Sequence, residues 1–202
     1  MLNLPNLLTL SRVPLTFIVV ALMYQSWHGA ATLAFVLFLG AGISDWLDGH
    51  IARKQGIVSN FGKFMDALTD KIFVIGLMVA FVAIYHNPIW IVLALITLCR
   101  EFMVSGMRML ASSKGVVVAA DRGGKAKTVT QLIAIGFLLA APVISIDIAR
   151  LGHWDLTEFA AWVHKVGMAG FVIGTILTVW SGYRYFRNNW ALIADEPVKS
   201  SS

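Results

Sequence analysis

Four aspartates lie within one short segment of the chain, at spacings that suit metal binding or acid–base catalysis. Asp45 and Asp48 are three residues apart, and Asp66 and Asp70 are four residues apart. Either spacing places both carboxylates of a pair on one face of an α-helix. Apolar stretches flank the segment on both sides, and ionisable groups at membrane depth are costly, so by default they mark a functional site. We therefore place the candidate site in this segment.

Carboxylates packed this closely repel one another unless cations neutralise them. The segment contains no cysteine. Ligand sets made only of oxygen favour hard cations, and a few carboxylates together with substrate phosphates are typical of Mg²⁺ sites. Such a site can clamp a diphosphate and stabilise an in-line displacement at phosphorus. Helix capping and solvated loop charge would explain one or two of these acids, but not four at paired helical spacing.

Three cations further along the chain indicate where a second phosphate would bind. Arg100 falls within an apolar run, where a cation needs a partner or a ligand. Arg108 lies about two helical turns later on the same face, and Lys125 can approach from the next apolar stretch. Cations that converge beside a phosphate-processing site suit an acceptor that itself carries a phosphate. The alternative for all three is the positive-inside rule. We expect Glu101 to be a structural partner of Arg100.

The elements that must position these residues are predicted to be membrane helices. The chain has 202 residues, of which 58% are hydrophobic and 13% are charged. Soluble domains average about 25% charged residues, so the composition predicts an all-α membrane protein. Six apolar stretches predict six transmembrane helices, over residues 13–25, 30–46, 72–85, 89–110, 126–146 and 159–183. We expect helix two to continue past Arg53 and helix three to begin near Asn60.

The distribution of charge predicts the orientation. With six spans, all of the sixteen Lys and Arg residues except Arg150 and Lys165 fall on one side, which places both termini in the cytoplasm. The net charge of +5 is then a membrane-surface charge, and we expect no nucleic-acid partner. Leucines among polar residues at the N-terminus predict a short interfacial helix before the first span. We expect the tryptophans near the far-side helix ends, Trp90 among them, to form an aromatic belt.

The acid segment resembles the signature of the CDP-alcohol phosphotransferase family. The match covers eight fixed residues over 26 positions: Asp45, Asp48, Gly49, Ala52, Arg53, Gly62, Asp66 and Asp70. The resemblance implies a single membrane domain over residues 1–190, followed by a polar tail over 191–202. It also implies a homodimer in the cytoplasmic (inner) membrane, whose site faces the cytoplasm.

The resemblance assigns a role to each signature residue. Asp45, Asp48, Asp66 and Asp70 would hold two ions, Mg²⁺ or Mn²⁺, and Asp70 would also be the general base that takes a proton from the attacking hydroxyl. Gly49 and Ala52 would allow close approach of the cytidine nucleotide. Arg53 would contact phosphate, and Gly62 would belong to the same donor-binding set.

Two further stretches resemble the branch of the family that makes phosphatidylglycerophosphate: NLPNLLTLSRVP near the N-terminus, and residues 100–128. The resemblance implies CDP-diacylglycerol as donor, sn-glycerol 3-phosphate as acceptor and membrane lipids as surroundings, with Arg100, Arg108 and Lys125 on the acceptor phosphate. Other acceptors within the family are inositol phosphate, serine and phosphatidylglycerol. From other classes, the alternatives are a divalent-cation transporter and a non-catalytic scaffold.

Overall fold

The described part of the chain is entirely helical. The computed structural model describes the backbone of residues 4–55, 60–116 and 122–190, and the side chains of residues 9–44, 65, 68–116, 124 and 126–190. The elements are α1 (Leu4–Met23), α2 (Ala30–Gln55), α3 (Asn60–Tyr85), α4 (Pro88–Ser113), α5 (Arg122–Pro142), a π-helical stretch (Val143–Ile148), α6 (Ala149–Gly152) and α7 (Thr157–Asn188). Among these residues no strand occurs, which confirms the all-α class.

Four helical segments are long and apolar enough to cross a bilayer, and they identify a multi-pass membrane protein. They are Leu68–Tyr85, Pro88–Ser113, Ala126–Gly152 and Thr157–Asn188. Two shorter apolar helices, Thr9–Met23 and Ala30–Ser44, precede them. All six coincide with the predicted apolar stretches. As expected, α2 continues past Arg53 and α3 begins at Asn60.

The N-terminal helix corrects one expectation. No separate short interfacial helix precedes the first apolar stretch, because α1 runs without a break from Leu4 to Met23 with Pro14 inside it. Thr9 and Arg12 are buried, so this stretch packs against other helices on one side. The buried side chains of Thr9 and Arg12 therefore take part in helix packing.

Helices α5 and α7 form the most extensive contact, and glycines on α7 allow it. A Cβ atom at Gly167 would lie 2.8 Å from Leu138 Cγ and 3.0 Å from the backbone nitrogen of Leu138. A Cβ at Gly174 would lie 2.8 Å from Gln131 Cγ. Small residues let helix backbones approach closely in membranes, where apolar burial gives no driving force between helices.

The hydrophobic core of the described residues draws on all six long helices, α1 to α5 and α7. Phe81, Trp90 and Phe171 are almost completely buried and pack ring against ring, with centroids 5.5 Å apart for Phe81–Trp90 and 5.2 Å for Trp90–Phe171. The expectation that Trp90 belongs to an aromatic belt is therefore wrong. An indole at a helix end can pack into the bundle as readily as it faces lipid headgroups, and the sequence position alone does not distinguish the two.

A buried acid fixes the N-terminus of α2. Asp147, in the π-helical stretch, accepts hydrogen bonds from the backbone N–H groups of Gly29 and Thr32, each at 2.8 Å, and from Thr32 Oγ1 at 2.6 Å. The first N–H groups of a helix have no partner within it, and an anion stabilises that end. Asp147 thereby anchors the end of α2 that is remote from Asp45 and Asp48.

Candidate active site

The signature residues lie on two consecutive helices, α2 and α3, which residues 56–59 connect in the chain. Asp45 and Asp48 are in the C-terminal part of α2, and Asp66 and Asp70 are in the N-terminal part of α3. Along the chain, one acid pair therefore precedes residues 56–59 and the other follows them, and the expectation that the two pairs face each other stays a prediction. The side chains of most predicted site residues lie outside the described residues: Asp45, Asp48, Gly49, Ala52, Arg53, Gly62, Asp66 and Lys125.

Asp70 is the signature acid whose side chain the structure describes. Its carboxylate is half-exposed, and Arg12 Nη1 donates a hydrogen bond to Oδ1 at 3.0 Å. The Arg12 side chain is only 3% exposed, so the guanidinium holds Asp70 from the protein interior. Gly76 allows this approach, because a Cβ there would lie 2.8 Å from Thr16 Cγ2, one turn beyond Arg12 on α1.

A largely buried ion-pair network stands beside Asp70. Arg100 Nη1 donates to Glu101 Oε1 at 3.0 Å, and Arg100 Nη2 donates to Ser181 Oγ at 3.0 Å. Lys127, from α5, forms an ion pair with the same Glu101 oxygen. The expectation that Glu101 is a structural partner of Arg100 is confirmed, and the structure adds Lys127 to that pair.

Lys71 connects this network to Asp70. Its ammonium group donates a hydrogen bond to Ser105 Oγ, and Ser105 Oγ donates to the backbone carbonyl of Glu101 at 2.6 Å. The Lys71 charge also interacts with those of Asp70, Arg100 and Arg108. We refer to Lys71, Arg100, Arg108 and Lys127 as the cation cluster. It stands next to the signature acid on α3 and draws on three helices.

Helix α7 supports the two arginines of α4. The centre of the Arg108 guanidinium lies 5.5 Å from the Tyr185 ring centroid, one turn beyond the Arg100–Ser181 contact. Gly182 leaves room for the stem of Arg100, because a Cβ there would lie 2.9 Å from Arg100 Cγ. The prediction that Arg100 and Arg108 share one helix face is confirmed, since both contact α7.

The donor set fits a hard divalent cation by its chemistry. The signature supplies carboxylate oxygens, and the half-exposed Asp70 carboxylate stands at the site's surface. Among the described side chains no three potential ligands cluster together, and three of the four signature acids lie outside that set.

Comparison with known proteins shows the family. The model of the CDP-alcohol phosphatidyltransferase family matches residues 2–181. The chain therefore belongs to this family. A Bacillus subtilis protein named CDP-diacylglycerol–glycerol-3-phosphate 3-phosphatidyltransferase is 35% identical over the whole of both chains. Proteins of the same name are 34% identical in Salmonella choleraesuis, over 91% of this chain and 92% of that protein, and in Shigella flexneri, over 96% and 98% respectively.

Sequence reasoning missed Arg12, Lys71 and Lys127 as members of this site. From the sequence, each of them was assigned to the cytoplasmic side by the positive-inside rule. That rule accounts for the presence of a cation but does not predict which residue it contacts. The available signal was position: Arg12 and Lys127 fall inside helices next to apolar residues, and Lys71 directly follows Asp70. A cation at such a place needs an acid nearby.

Proposed function

We propose that this protein transfers the phosphatidyl group of CDP-diacylglycerol to sn-glycerol 3-phosphate, giving phosphatidylglycerophosphate and CMP. The relatives that align over nearly the whole chain carry the name of this activity. The observation that carries the proposal is the position of Asp70 beside the cation cluster. One site then contains both Asp70, which serves the donor diphosphate, and the cation cluster, which suits a second phosphate.

The donor is held by the signature residues. Asp45, Asp48, Asp66 and Asp70 would hold two Mg²⁺ or Mn²⁺ ions, which when bound neutralise charge on the diphosphate and the departing CMP. Gly49, Ala52 and Gly62 leave space for the nucleotide, and Arg53 binds donor phosphate. An apolar groove of about 550 Å³ between α2 and α5 supports a place for the lipid tails, because it reaches Ile43, two residues before Asp45.

The transfer step is a displacement at phosphorus. The 1-hydroxyl oxygen of glycerol 3-phosphate forms a bond to the phosphorus that carries diacylglycerol, and the bond from that phosphorus to the CMP oxygen breaks. Asp70 takes the hydroxyl proton, with Arg12 holding Oδ1 so that the carboxylate keeps one orientation. Arg100, Arg108 and Lys125 bind the acceptor phosphate beyond the donor diphosphate.

The membrane arrangement follows from the same proposal. The helices α1, α2, α3, α4, α5–α6 and α7 make six crossings of the inner membrane, with both termini and the site on the cytoplasmic side. The pairing of α1 with α3 supports helices that cross in alternating directions. Arg12 lies against Asp70, and Thr16, later in α1, lies against Gly76, later in α3, so these two helices run parallel. A homodimer is the assembly that the family resemblance implies.

An acceptor panel tests the function. The purified chain in detergent is given CDP-diacylglycerol, Mg²⁺ and one labelled alcohol at a time: glycerol 3-phosphate, inositol phosphate, serine or phosphatidylglycerol. We expect CMP release with glycerol 3-phosphate and at least tenfold less with the others. A preference for inositol phosphate would show that the acceptor is inositol phosphate, while the type of reaction would stay as proposed. Mg²⁺ binding without release of CMP from CDP-diacylglycerol, whichever alcohol is added, would favour a cation transporter or a scaffold.

A further inference from the structure

Glu101 is an acid at the centre of the cation cluster. Its carboxylate, 14% exposed, pairs with Arg100 at 3.0 Å and with Lys127. Its backbone carbonyl accepts the Ser105 hydroxyl, which in turn accepts a hydrogen bond from Lys71. One residue of α4 therefore ties together three cations that come from three different helices.

The charges of the cluster explain why an acid belongs there. The cluster brings four basic side chains together, whereas a phosphate monoester carries about −1.5 to −2 at neutral pH. Asp70 compensates part of this charge, but it is shared with Arg12, with which it also forms an ion pair. In the proposed reaction the acceptor phosphate is not consumed and leaves on the product. Binding it equally tightly before and after transfer does not accelerate the reaction, and slow product release limits turnover.

We propose that Glu101 is a positioning residue with two effects on the acceptor pocket. It holds Arg100 and Lys127 in the geometry used for transfer, and it limits the positive charge that a phosphate monoester meets there. This inference rests on the proposed function, because it takes the cation cluster, which shares Arg100 and Arg108 with the proposed acceptor site, as part of the acceptor pocket.

The first test removes the charge of Glu101 and keeps its shape. The matched control is Asp147→Asn, which neutralises another buried acid at the remote end of α2. Binding of inorganic phosphate to the purified full chain in detergent is measured by equilibrium dialysis, without turnover. Glu101→Gln should tighten phosphate binding about tenfold, since a negative charge near the anion is lost. Asp147→Asn should leave it unchanged. Weaker or unaltered phosphate binding in Glu101→Gln would overturn the inference.

The second test removes a positive charge of the cluster instead, and the expected change in phosphate affinity has the opposite sign. Lys127→Gln leaves Glu101 opposed by Arg100 alone, so phosphate binding should weaken by about tenfold. The double variant Glu101→Gln/Lys127→Gln should return to within about threefold of the parent affinity. A purely structural ion pair would lower stability in both single variants without opposite shifts in phosphate affinity. If Glu101→Gln cannot be purified in folded form, the double variant is compared with Lys127→Gln, and a phosphate affinity no higher than that of Lys127→Gln would refute the proposal.

Kinetics separate charge from position. Glu101→Gln should lower kcat about tenfold while KM for glycerol 3-phosphate falls and KM for CDP-diacylglycerol stays unchanged. Glu101→Asp keeps the charge but is too short to hold both partners, so kcat should fall with near-parent phosphate affinity. Equal changes in both KM values would contradict the role. If the parent chain does not use glycerol 3-phosphate, the proposed function fails, while the dialysis results still decide the role of Glu101.

Discussion

The Asp70 carboxylate interacts with cations from three helices, α1, α3 and α5. Arg12 Nη1 donates a hydrogen bond to Oδ1, and the Asp70 charge also interacts with those of Lys71 and Lys127. A carboxylate in this place can both hold a metal ion and receive a proton from an alcohol bound by the cluster. We therefore propose two roles for Asp70, metal ligand and general base, which a single substitution can separate.

Asp70→Asn tests those duties. We expect product formation to fall by more than about a hundredfold, because the amide cannot take the hydroxyl proton. Binding of CDP-diacylglycerol should stay largely intact, since three signature acids remain to hold metal. Turnover and equilibrium binding of the donor lipid are measured side by side, with the exposed Asp155→Asn as control. A loss of donor affinity as large as the loss of rate would leave Asp70 as a ligand only.

Arg108 and Arg53 should separate acceptor from donor. Loss of a charge-assisted phosphate contact costs about 1.5–3 kcal/mol, so Arg108→Ala should raise KM for glycerol 3-phosphate roughly tenfold to a hundredfold. KM for CDP-diacylglycerol should stay unchanged in that variant and rise in Arg53→Ala. Arg108→Lys should recover part of the loss, because a point charge cannot reproduce a two-pronged contact. Parent-like titration of glycerol 3-phosphate by Arg108→Ala would exclude Arg108 from the acceptor pocket.

The sequence predicted the residues that carry unusual charge, but among their partners it predicted only Glu101, the neighbour of Arg100 in the chain. The spacing of the aspartates and the position of Arg100 in an apolar run identify residues that need a ligand or a counter-ion. The Arg12–Asp70 pair joins positions 58 residues apart, and the Arg100–Ser181 contact joins positions 81 apart. Such pairs depend on how helices pack, which local spacing does not contain.

At the scale of elements, hydropathy predicted where helices occur, and packing decided their faces. The charged ends of α2 and α3 continue as helix because charged residues at the membrane surface do not interrupt the backbone hydrogen bonds. The π-helical stretch, with Asp147 bonded to the start of α2, gave no periodic signal in the sequence. Trp90 shows the same limit, since its burial follows from neighbours on α3 and α7.

The close approach of α5 and α7 makes a prediction at this scale. Gly167→Ala should destabilise the protein by about 1–3 kcal/mol, because the new methyl group meets both the side chain and the backbone of Leu138. Gly40→Ala on α2 is the matched control, since no heavy atom lies within 4 Å of its Cβ position. Thermal unfolding in detergent should show a lower Tm for Gly167→Ala and an equal or higher Tm for Gly40→Ala. Equal Tm values would contradict the packing argument.

At the scale of the whole molecule, one end of the helix bundle collects the acids and the cations. The acid pairs on α2 and α3, the cation cluster and the start of α5 all lie at this end, whereas Asp147 and the start of α2 mark the opposite end. A water-soluble acceptor must reach the first end from one side of the membrane. The orientation of the bundle therefore determines which compartment supplies it.

A topology experiment checks that orientation. Reporter domains that are active only in the cytoplasm are fused after residue 190, or inserted in the connection between α4 and α5. We expect activity at both positions, because an even number of crossings returns the chain to the same side. A reporter in the connection between α3 and α4 should be inactive. Activity of that reporter would contradict the six-crossing arrangement.

A label on the acceptor phosphate shows whether this protein transfers the phosphatidyl group to glycerol 3-phosphate. The purified chain in liposomes receives CDP-diacylglycerol, Mg²⁺ and glycerol 3-phosphate labelled with ³²P. The account predicts that the label enters the lipid extract as phosphatidylglycerophosphate, with one CMP released for each labelled lipid formed, and that Asp70→Asn abolishes both signals. Release of CMP while the label stays in the aqueous phase would show hydrolysis of the donor instead of transfer, and would contradict the account.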